Sequence, residues 1–245
     1  MNGQEVPQNY TKAAQWLRKA ADQGNAAAEC DLGILYQGGK GVGRDYVEAA
    51  EWYRKAAEQG DDVAEHNLAV LYIDGKGVPQ DYVEAARWFR KAAEQGRAEA
   101  QCGLAHLYLM GQGVPRDYVE AAEWYRKAAE QGDALGESKL ALIYYAGWGV
   151  QKNIPESLKW WRKAADHNDA LGQYELGLAY HQGFTGFPKD DIQSYMWYWL
   201  AAFQGNMDAA NDLKVLEQSM SPEQIAEAKS RAKDWQYKFN SQALK

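Results

Sequence analysis

Three nearly identical stretches decide the fold of this chain: GKGVGRDYVEAAEWYRKAAEQG at residues 39–60, GKGVPQDYVEAARWFRKAAEQG at 75–96 and GQGVPRDYVEAAEWYRKAAEQG at 111–132. The three copies are 36 residues apart, and a diverged fourth copy, GWGVQKNIPESLKWWRKAADHN, begins at Gly147. A period of roughly 20 to 50 residues is typical of solenoids, in which each short unit buries its apolar face against its neighbours. The sequence therefore predicts a tandem array of one small unit.

The repeated segment has the pattern of a helix with a defined start and end, here called helix B. Its tryptophans recur every 36 residues at Trp16, Trp52, Trp88, Trp124 and Trp160, and Trp197 follows at 37. Aspartates are predicted to cap its start and glutamates three residues later to complete capping boxes: Asp45, Asp81 and Asp117 with Glu48, Glu84 and Glu120. Gly60, Gly96 and Gly132 are predicted to end it.

A second helix, here called helix A, is predicted between the copies. Each has a small residue, a leucine four residues later and a tyrosine after four more, as in Ala28, Leu32 and Tyr36. Spacings of four keep these side chains on one helical face. The leucines are Leu32, Leu68, Leu104, Leu140 and Leu176.

The fold prediction is an all-α array of 36-residue helix-turn-helix units. We count a lone helix B, five complete pairs and a terminal helix A, which together form a repeat region at 1–220. Residues 221–245 are predicted to form a C-terminal capping helix and tail, because Ser221, Pro222 and Gln224 match a helix start. The first ten residues match the loop before helix B, so we expect missing upstream sequence and an uncovered Trp16.

Composition narrows the function classes. The net charge of −7 and the pI near 5.2 argue against a general nucleic-acid binder, which needs a basic face. The Lys and Arg residues of the RKAAEQ segments are predicted to form a solvated face. No apolar run reaches the roughly 18 residues of a transmembrane helix. Cys30 and Cys102 lie two repeats apart, too far for a disulfide, and are expected to be thiols.

These residues resemble the Sel-one-like repeats, a bacterial family related to the tetratricopeptide class. The matching pattern is Leu32-Gly33, Tyr36, the loop 39–42, and the segment from Asp45 to Gly60, and it recurs with changes up to Gln204. The resemblance implies a right-handed α-α superhelix with a concave surface that serves as an adaptor for proteins. Localisation is left open: periplasmic or secreted if a signal peptide precedes Met1, and cytoplasmic otherwise.

Positions that vary between repeats on an ordered helix face are candidates for partner contacts. In helix A such a stripe runs at i, i+3, i+7 and i+10, and similarity to tetratricopeptide proteins places it on the concave wall. An apolar strip with scattered polar groups suits an extended peptide or a helix. The candidate contact residues are His66, Ile73, Cys102, His106, Leu109, Leu135, Tyr145, Tyr174 and His181. Trp148 and Phe184 are candidate loop contacts, although aromatic side chains there could simply cover a neighbouring loop.

Candidate chemical sites are weak. His66, Cys102 and His106 lie on one stripe, but a fourth zinc ligand is not evident, so we predict no metal and no cofactor. Ser230 and Lys233 match the S-x-x-K string of serine β-lactamases, without the other motifs of those enzymes. We therefore predict a non-enzymatic protein-interaction scaffold, with a β-lactamase-like hydrolase or β-lactam binder as the alternative. Self-association through the open first unit is a further expectation.

Overall fold

A computed structural model of the protein describes residues 9–184 and 186–242, apart from the side chain of Gln242. These residues form thirteen α-helices: α1 (Tyr10–Ala21), α2 (Ala26–Gly38), α3 (Tyr46–Glu58), α4 (Asp62–Asp74), α5 (Tyr82–Glu94), α6 (Ala98–Met110), α7 (Tyr118–Glu130), α8 (Ala134–Ala146), α9 (Ile154–Asp166), α10 (Ala170–Gln182), α11 (Asp191–Phe203), α12 (Met207–Glu217) and α13 (Pro222–Gln242). The only β pairing in this part of the chain is one antiparallel bridge between Phe184 and Phe187. The predicted order of helices is confirmed.

The described residues divide after Asp117 into two compact units, which we call unit 1 and unit 2. Unit 1 contains α1 to α6, in which successive helices pack against one another from α1 as far as α6. Unit 2 contains α7 to α13, in which successive helices pack as far as α12 and α13 packs on α11. Helix A is therefore α2, α4, α6, α8, α10 and α12, and helix B is α1, α3, α5, α7, α9 and α11.

Local chemistry sets the ends of the helices as predicted. The Asp45 carboxylate accepts hydrogen bonds from the backbone N–H groups of Val47 and Glu48, at 2.9 and 3.1 Å. Gly60 ends the following turn with a φ of +88°. The loop glycine Gly77 also has a positive φ, and a Cβ there would lie 2.0 Å from the Tyr46 carbonyl oxygen. Only glycine fits such a close approach of the loop to the previous helix B.

The capping box was predicted correctly at one site and wrongly at another. At Ser221 both halves are present: the Gln224 N–H donates to Ser221 Oγ at 3.3 Å, and the Ser221 N–H donates to Gln224 Oε1 at 2.9 Å. At Glu48 the carboxylate instead accepts from Trp52 Nε1 at 3.2 Å. The aspartate alone therefore caps that helix, and the glutamate holds the buried indole.

The repeated tryptophans and leucines form the core. The helix B tryptophans from Trp52 to Trp197 are buried, and the helix A leucines are almost completely so. Trp16, in the first helix, has 69% of its surface exposed, as expected for an uncovered helix B. Losing one buried tryptophan is expected to cost about 3–5 kcal/mol.

A ladder of arginine–tyrosine hydrogen bonds joins each of the first five B helices, α1 to α9, to a tyrosine of the next helix A. In every case the two residues are 18 positions apart. The pairs are Arg18–Tyr36, Arg54–Tyr72, Arg90–Tyr108, Arg126–Tyr144 and Arg162–Tyr180. The prediction of a fully solvated basic face is thus wrong for the arginines, which tie neighbouring helices together.

A second ladder joins the start of helix A to the end of the following helix B. In unit 1, Glu29 accepts from Gln59 Nε2 at 2.7 Å and Glu65 accepts from Gln95 Nε2 at 2.8 Å. In unit 2, Glu137 Oε2 lies 2.8 Å from Nδ1 of His167. Burial raises the pKa of the Glu137 carboxyl, and His167 partly offsets that rise.

The final helix covers the apolar face of α11, as the predicted cap requires. Ala228 and Ala232 are fully buried. Trp235 meets the Trp197 ring edge-on, with 5.7 Å between centroids. The stripe predicted from Ile225 to Phe239 is therefore the packing face of α13, where Ile225 packs with Ala228 and Leu216.

Candidate partner-binding site

Three small depressions between successive repeats, here called notches, draw on the same four repeat positions. The first position lies in the last turn of helix A and the second begins helix B. The third lies in the middle of helix B, and the fourth lies in the middle of the following helix A. The notches differ because these positions hold different residues.

The first notch of unit 1 is polar and open. Gln37, Tyr46, Tyr53 and Asn67 occupy its four positions and line a depression of about 580 Å³. The buried Tyr53 hydroxyl donates to Gln37 Oε1 at 2.6 Å. The polar groups of this tyrosine and glutamine are therefore already paired with each other.

Three repeats further along the array, the corresponding notch is aromatic and enclosed. Tyr145, Ile154, Trp161 and Glu175 occupy the four positions, and the cavity is about 60 Å³. Leu178 and Phe184 also line this cavity. We call this set of six residues the Glu175 notch.

The aromatic walls of the Glu175 notch are held by packing. The Tyr145 and Trp161 rings are 5.5 Å apart and tilted by 48°. Trp161 is buried, and its Nε1–H has no hydrogen-bond partner among the residues that the structure describes. Tyr145 and Phe184 are 45% and 37% exposed, so a ligand approaching from solvent meets these two rings first.

Burial alone raises the pKa of Glu175 to about 7. No cation among the described residues forms an ion pair with it. The notch therefore holds a carboxyl group whose ionised form is disfavoured by burial and has no compensating cation among the described residues.

The next notch of unit 2, the Asp212 notch, has His181, Asp191, Tyr198 and Asp212 at the four positions. Four of its lining residues, Leu178, His181, Tyr198 and Asp212, surround a cavity of about 170 Å³. His181 Nδ1 lies 3.5 Å from Asp191 Oδ1. Because Leu178 lines both cavities, the Glu175 and Asp212 notches are adjacent on the same face of α10.

Tyr174 is fixed beside the Asp212 notch. Its hydroxyl donates to Asp212 Oδ2 at 3.2 Å, and its ring lies 5.7 Å from that of Tyr198. Burial, together with Asp212, raises the pKa of Tyr174 to about 12. The tyrosine is therefore neutral at physiological pH and orients a carboxylate toward the notch.

The residues predicted as contacts in unit 1 differ in accessibility. His106 is exposed, whereas Ile73 and Leu109 are half-buried. The His66 ring packs against Phe89 at 5.4 Å, and burial lowers its pKa. Cys102 is only 3% exposed, so its side chain packs inside the unit.

The remaining predicted contacts lie in unit 2. Leu135 is half exposed at the start of α8. Trp148 stacks on Tyr118 with 6.1 Å between centroids, so the loop aromatic does cover a neighbouring residue, yet 38% of it stays exposed. Phe184 lines the Glu175 notch together with Tyr145, so one predicted loop contact and one predicted helix A contact lie at the same cavity.

Sequence reasoning missed several residues of these notches, among them Trp161, Glu175 and Asp212. The signal was present in the repeat alignment. Trp161 stands where other repeats have Tyr53, Phe89 and Tyr125, and Glu175 stands where they have Asp31, Asn67, Gly103 and Lys139. Only the structure shows that Trp161 and Glu175 line the same cavity.

The candidate chemical sites receive no geometric support. Among residues 9–184 and 186–242, no group of three or more His, Cys, Asp or Glu side chains is arranged to hold a metal ion. Ser230 is exposed on α13. Cys30 and Cys102 are not joined in a disulfide.

Paired antiparallel helices that repeat with a fixed period, and that present variable notches between them, define the class of helical-repeat scaffolds. Within that class, the family model of the Sel1 repeat matches residues 1–25, 26–61, 62–96, 98–133, 134–169 and 170–206. The chain belongs to the Sel1 repeat family. This confirms the resemblance seen in the sequence and the all-α repeat fold.

Solved structures agree. A Sel1 repeat protein from Oxalobacter formigenes is 34% identical, with a TM-score of 0.74 over 84% of this chain and 87% of that one. A protective antigen of uropathogenic Escherichia coli with an SLR fold is also 34% identical, with a TM-score of 0.63. The alignment covers 99% of this chain but 59% of the antigen. No curated protein sequence matches the chain.

Sel1 repeat proteins generally act in protein–protein interactions, and the family scaffold is typically non-catalytic. Within the described residues, no helix combines the length and apolar character needed to span a bilayer. The shared role of the family is protein binding.

Proposed function

We propose that this protein is a non-enzymatic adaptor that binds a segment of a partner protein along the helix A face of unit 2. The observation that carries the proposal is the pair of adjacent notches around Leu178, each lined by at least one aromatic ring and a carboxylate. Tyr145, Tyr174 and His181 are the central contact residues. An extended or helical segment would insert apolar side chains into the notches, while the polar tips of these residues set its register.

The charges favour a partner segment with basic residues. Glu175 has no cationic partner, and Asp208 and Asp212 add negative charge beside Tyr174. Opposite charges across an interface steer association and exclude acidic competitors. The preferred ligand is therefore a short segment that alternates apolar and basic side chains.

The proposed surface extends beyond the two notches. Leu135, Trp148 and Phe184 add exposed apolar area in unit 2. His66, Ile73, His106 and Leu109 are the contributions proposed for unit 1, with Cys102 supporting them from inside. In this proposal the repeats of 1–220 carry the binding surface, and the segment from Ser221 onward seals their last apolar face.

The test is a comparative capture experiment. The wild-type protein and a Tyr145→Ala/Tyr174→Ala/His181→Ala variant are immobilised, and bound proteins are identified by mass spectrometry from an extract of the source cells. A matched control carries Glu51→Ala, Glu123→Ala and Lys127→Ala, three exposed helix B positions. We expect at least one protein that wild type and control retain and that the notch variant loses. Equal retention of every captured protein by all three would refute the proposed surface.

A further inference from the structure

We infer that the Glu175 notch is a receptor for the ammonium group of a lysine side chain supplied by the partner segment. This deepens the proposed function by naming the chemistry of one contact. The argument rests on the convergence of three aromatic rings and one uncompensated carboxylate on a cavity of about 60 Å³.

The convergence follows from substitutions at several repeat positions. Tyr145 stands where other repeats have Gln37, Ile73 and Leu109, and Ile154 stands where they have tyrosine. Leu158 replaces the alanine of the earlier copies and lines the same cavity. Trp161 and Glu175 are also new at their positions. Tyr145 adds a ring, Ile154 removes one and Trp161 enlarges a third, so the wall becomes more enclosed while it acquires an acid.

Such a site has a defined electrostatic preference. The faces of Tyr145, Trp161 and Phe184 carry negative quadrupole potential, which attracts a cation within about 6 Å of the ring centroid. A carboxylate without a partner in a partly dry site gains most from a charge-assisted hydrogen bond. A neutral apolar side chain would fill the volume but leave Glu175 uncompensated.

The size of the cavity favours an ammonium group over a guanidinium group. A water molecule needs roughly 10–15 Å³ of such volume. The 60 Å³ cavity therefore admits a compact head group and the end of its alkyl stem. Lysine presents a compact charge on a flexible stem, whereas the guanidinium of arginine is a wide planar fork.

One lysine of the chain itself is close to this site. Lys152 Nζ lies 5.3 Å from the centroid of the Tyr145 ring, so this ring already accepts an ammonium group. Lys152 is not among the residues that line the cavity. An experiment therefore has to distinguish binding of an external lysine in the notch from binding of Lys152 there.

The test uses n-butylammonium, an analogue of the lysine side chain, and n-butanol as its neutral counterpart. Both are titrated at pH 8, where Glu175 is largely ionised, into the ¹⁵N-labelled full chain. The readout is the Trp161 indole N–H resonance, assigned with Trp161→Phe. We expect saturable shifts with butylammonium and much weaker ones with butanol. Glu175→Gln should weaken butylammonium binding about tenfold, the equivalent of one charge-assisted hydrogen bond, while Glu123→Gln should leave it unchanged.

Three results would overturn the inference: equal shifts with butanol, equal binding by Glu175→Gln, or tighter binding of n-propylguanidinium than of butylammonium. A large gain in butylammonium affinity on Lys152→Gln would also overturn it, because the chain's own lysine would then be the occupant. The titration needs no partner protein. Its failure would leave the capture result intact, and a failed capture would leave the titration result intact.

Discussion

The first notch of unit 1 and the Glu175 notch of unit 2 are built on one backbone plan but differ in nearly every functional property. In unit 1 the Tyr53–Gln37 hydrogen bond satisfies the polar groups, and the depression is wide and open. In unit 2 a ring pair, Tyr145 and Trp161, replaces that bond, and Glu175 replaces Asn67. The comparison shows how a repeat protein divides its residues between two roles. Positions shared by all repeats hold neighbouring helices together, while variable positions in the notches can form a ligand-binding site.

The separation has an energetic basis. The arginine–tyrosine ladder and the buried tryptophans recur in both units, because every repeat needs them to bury its neighbour's face. Substitutions at the exposed notch positions, such as that of Tyr145, cost little stability, whereas the third position is buried at Tyr53, Trp161 and Tyr198. The Glu175 notch departs from this rule, since it holds a carboxyl group whose ionised form is disfavoured by burial.

The largest expected effect comes from removing that carboxylate. The folded-state pKa of Glu175 is about 7, above its ordinary value of 4.5. A raised carboxyl pKa contributes stability below pH 4.5 that is lost as pH rises through about 7. Relative to wild type, Glu175→Gln should therefore gain stability between pH 5 and pH 8, by at most about 3 kcal/mol. Urea unfolding at the two pH values measures this difference.

The control for that experiment is Glu123→Gln, which changes an exposed carboxylate on helix B of the same unit. Its stability should follow wild type at both pH values. If the stability of Glu175→Gln also follows that of wild type at both pH values, the Glu175 carboxylate is solvated. The notches that contain Asn67 and Glu175 would then differ only in shape.

A second contrast between the units lies in the ladder that joins a buried glutamate of helix A to the end of the following helix B. His167 in unit 2 stands there at the position of Gln95 in unit 1. Glu137 has a side chain that is 1% exposed, so His167→Ala would leave a buried carboxylate without its donor. The expected cost is about 1–3 kcal/mol. His167→Gln should restore most of it, because Gln95 makes the same bond to Glu65 at 2.8 Å.

The measurement is the thermal unfolding midpoint at pH 7, with Gln95→Ala as the matched variant in unit 1. Both alanine variants should lose similar stability. Should His167→Gln unfold as early as His167→Ala, the two ladders would not be equivalent, and the histidine would act by some means other than hydrogen bonding.

Much of the fold could be predicted because the repeat presents each packing rule several times. The caps at Asp45, the glycine ends and the Trp and Leu columns each rest on local spacing, and all are confirmed. The arginine–tyrosine ladder was missed although its 18-residue spacing is regular, since an arginine beside glutamates on a helix also fits a solvated face.

The candidate site was harder to predict, for a physical reason. Tyr145 and Glu175 are 30 residues apart on different helices, and their proximity depends on how two repeats pack. The variable stripe identified Tyr145, Tyr174 and His181 as surface candidates, and their role in binding stays a prediction. The stripe did not include Glu175. This residue directly follows Tyr174, a member of the stripe, on α10, and its side chain lines the notch.

The smallest expected effect concerns Trp88, whose buried indole Nε1–H has no hydrogen-bond partner, unlike Trp52 in the same unit. The cause is the residue before the tryptophan. Arg87 draws both oxygens of Glu84 to itself, with the shortest contact at 2.6 Å. Glu51 holds that position in the previous repeat, where the Glu48 carboxylate accepts from Trp52 instead.

Arg87→Glu should therefore release Glu84 to accept from the Trp88 indole. The variant gains about one hydrogen bond and loses an exposed ion pair and the Arg87–Trp88 ring contact, so stability should change by less than about 0.5 kcal/mol. The informative readout is the Trp88 indole N–H resonance, which should move toward that of Trp52. An unmoved resonance would mean that the orientation of Glu84 is set by the backbone rather than by competition with Arg87, and the two repeats would then differ for another reason.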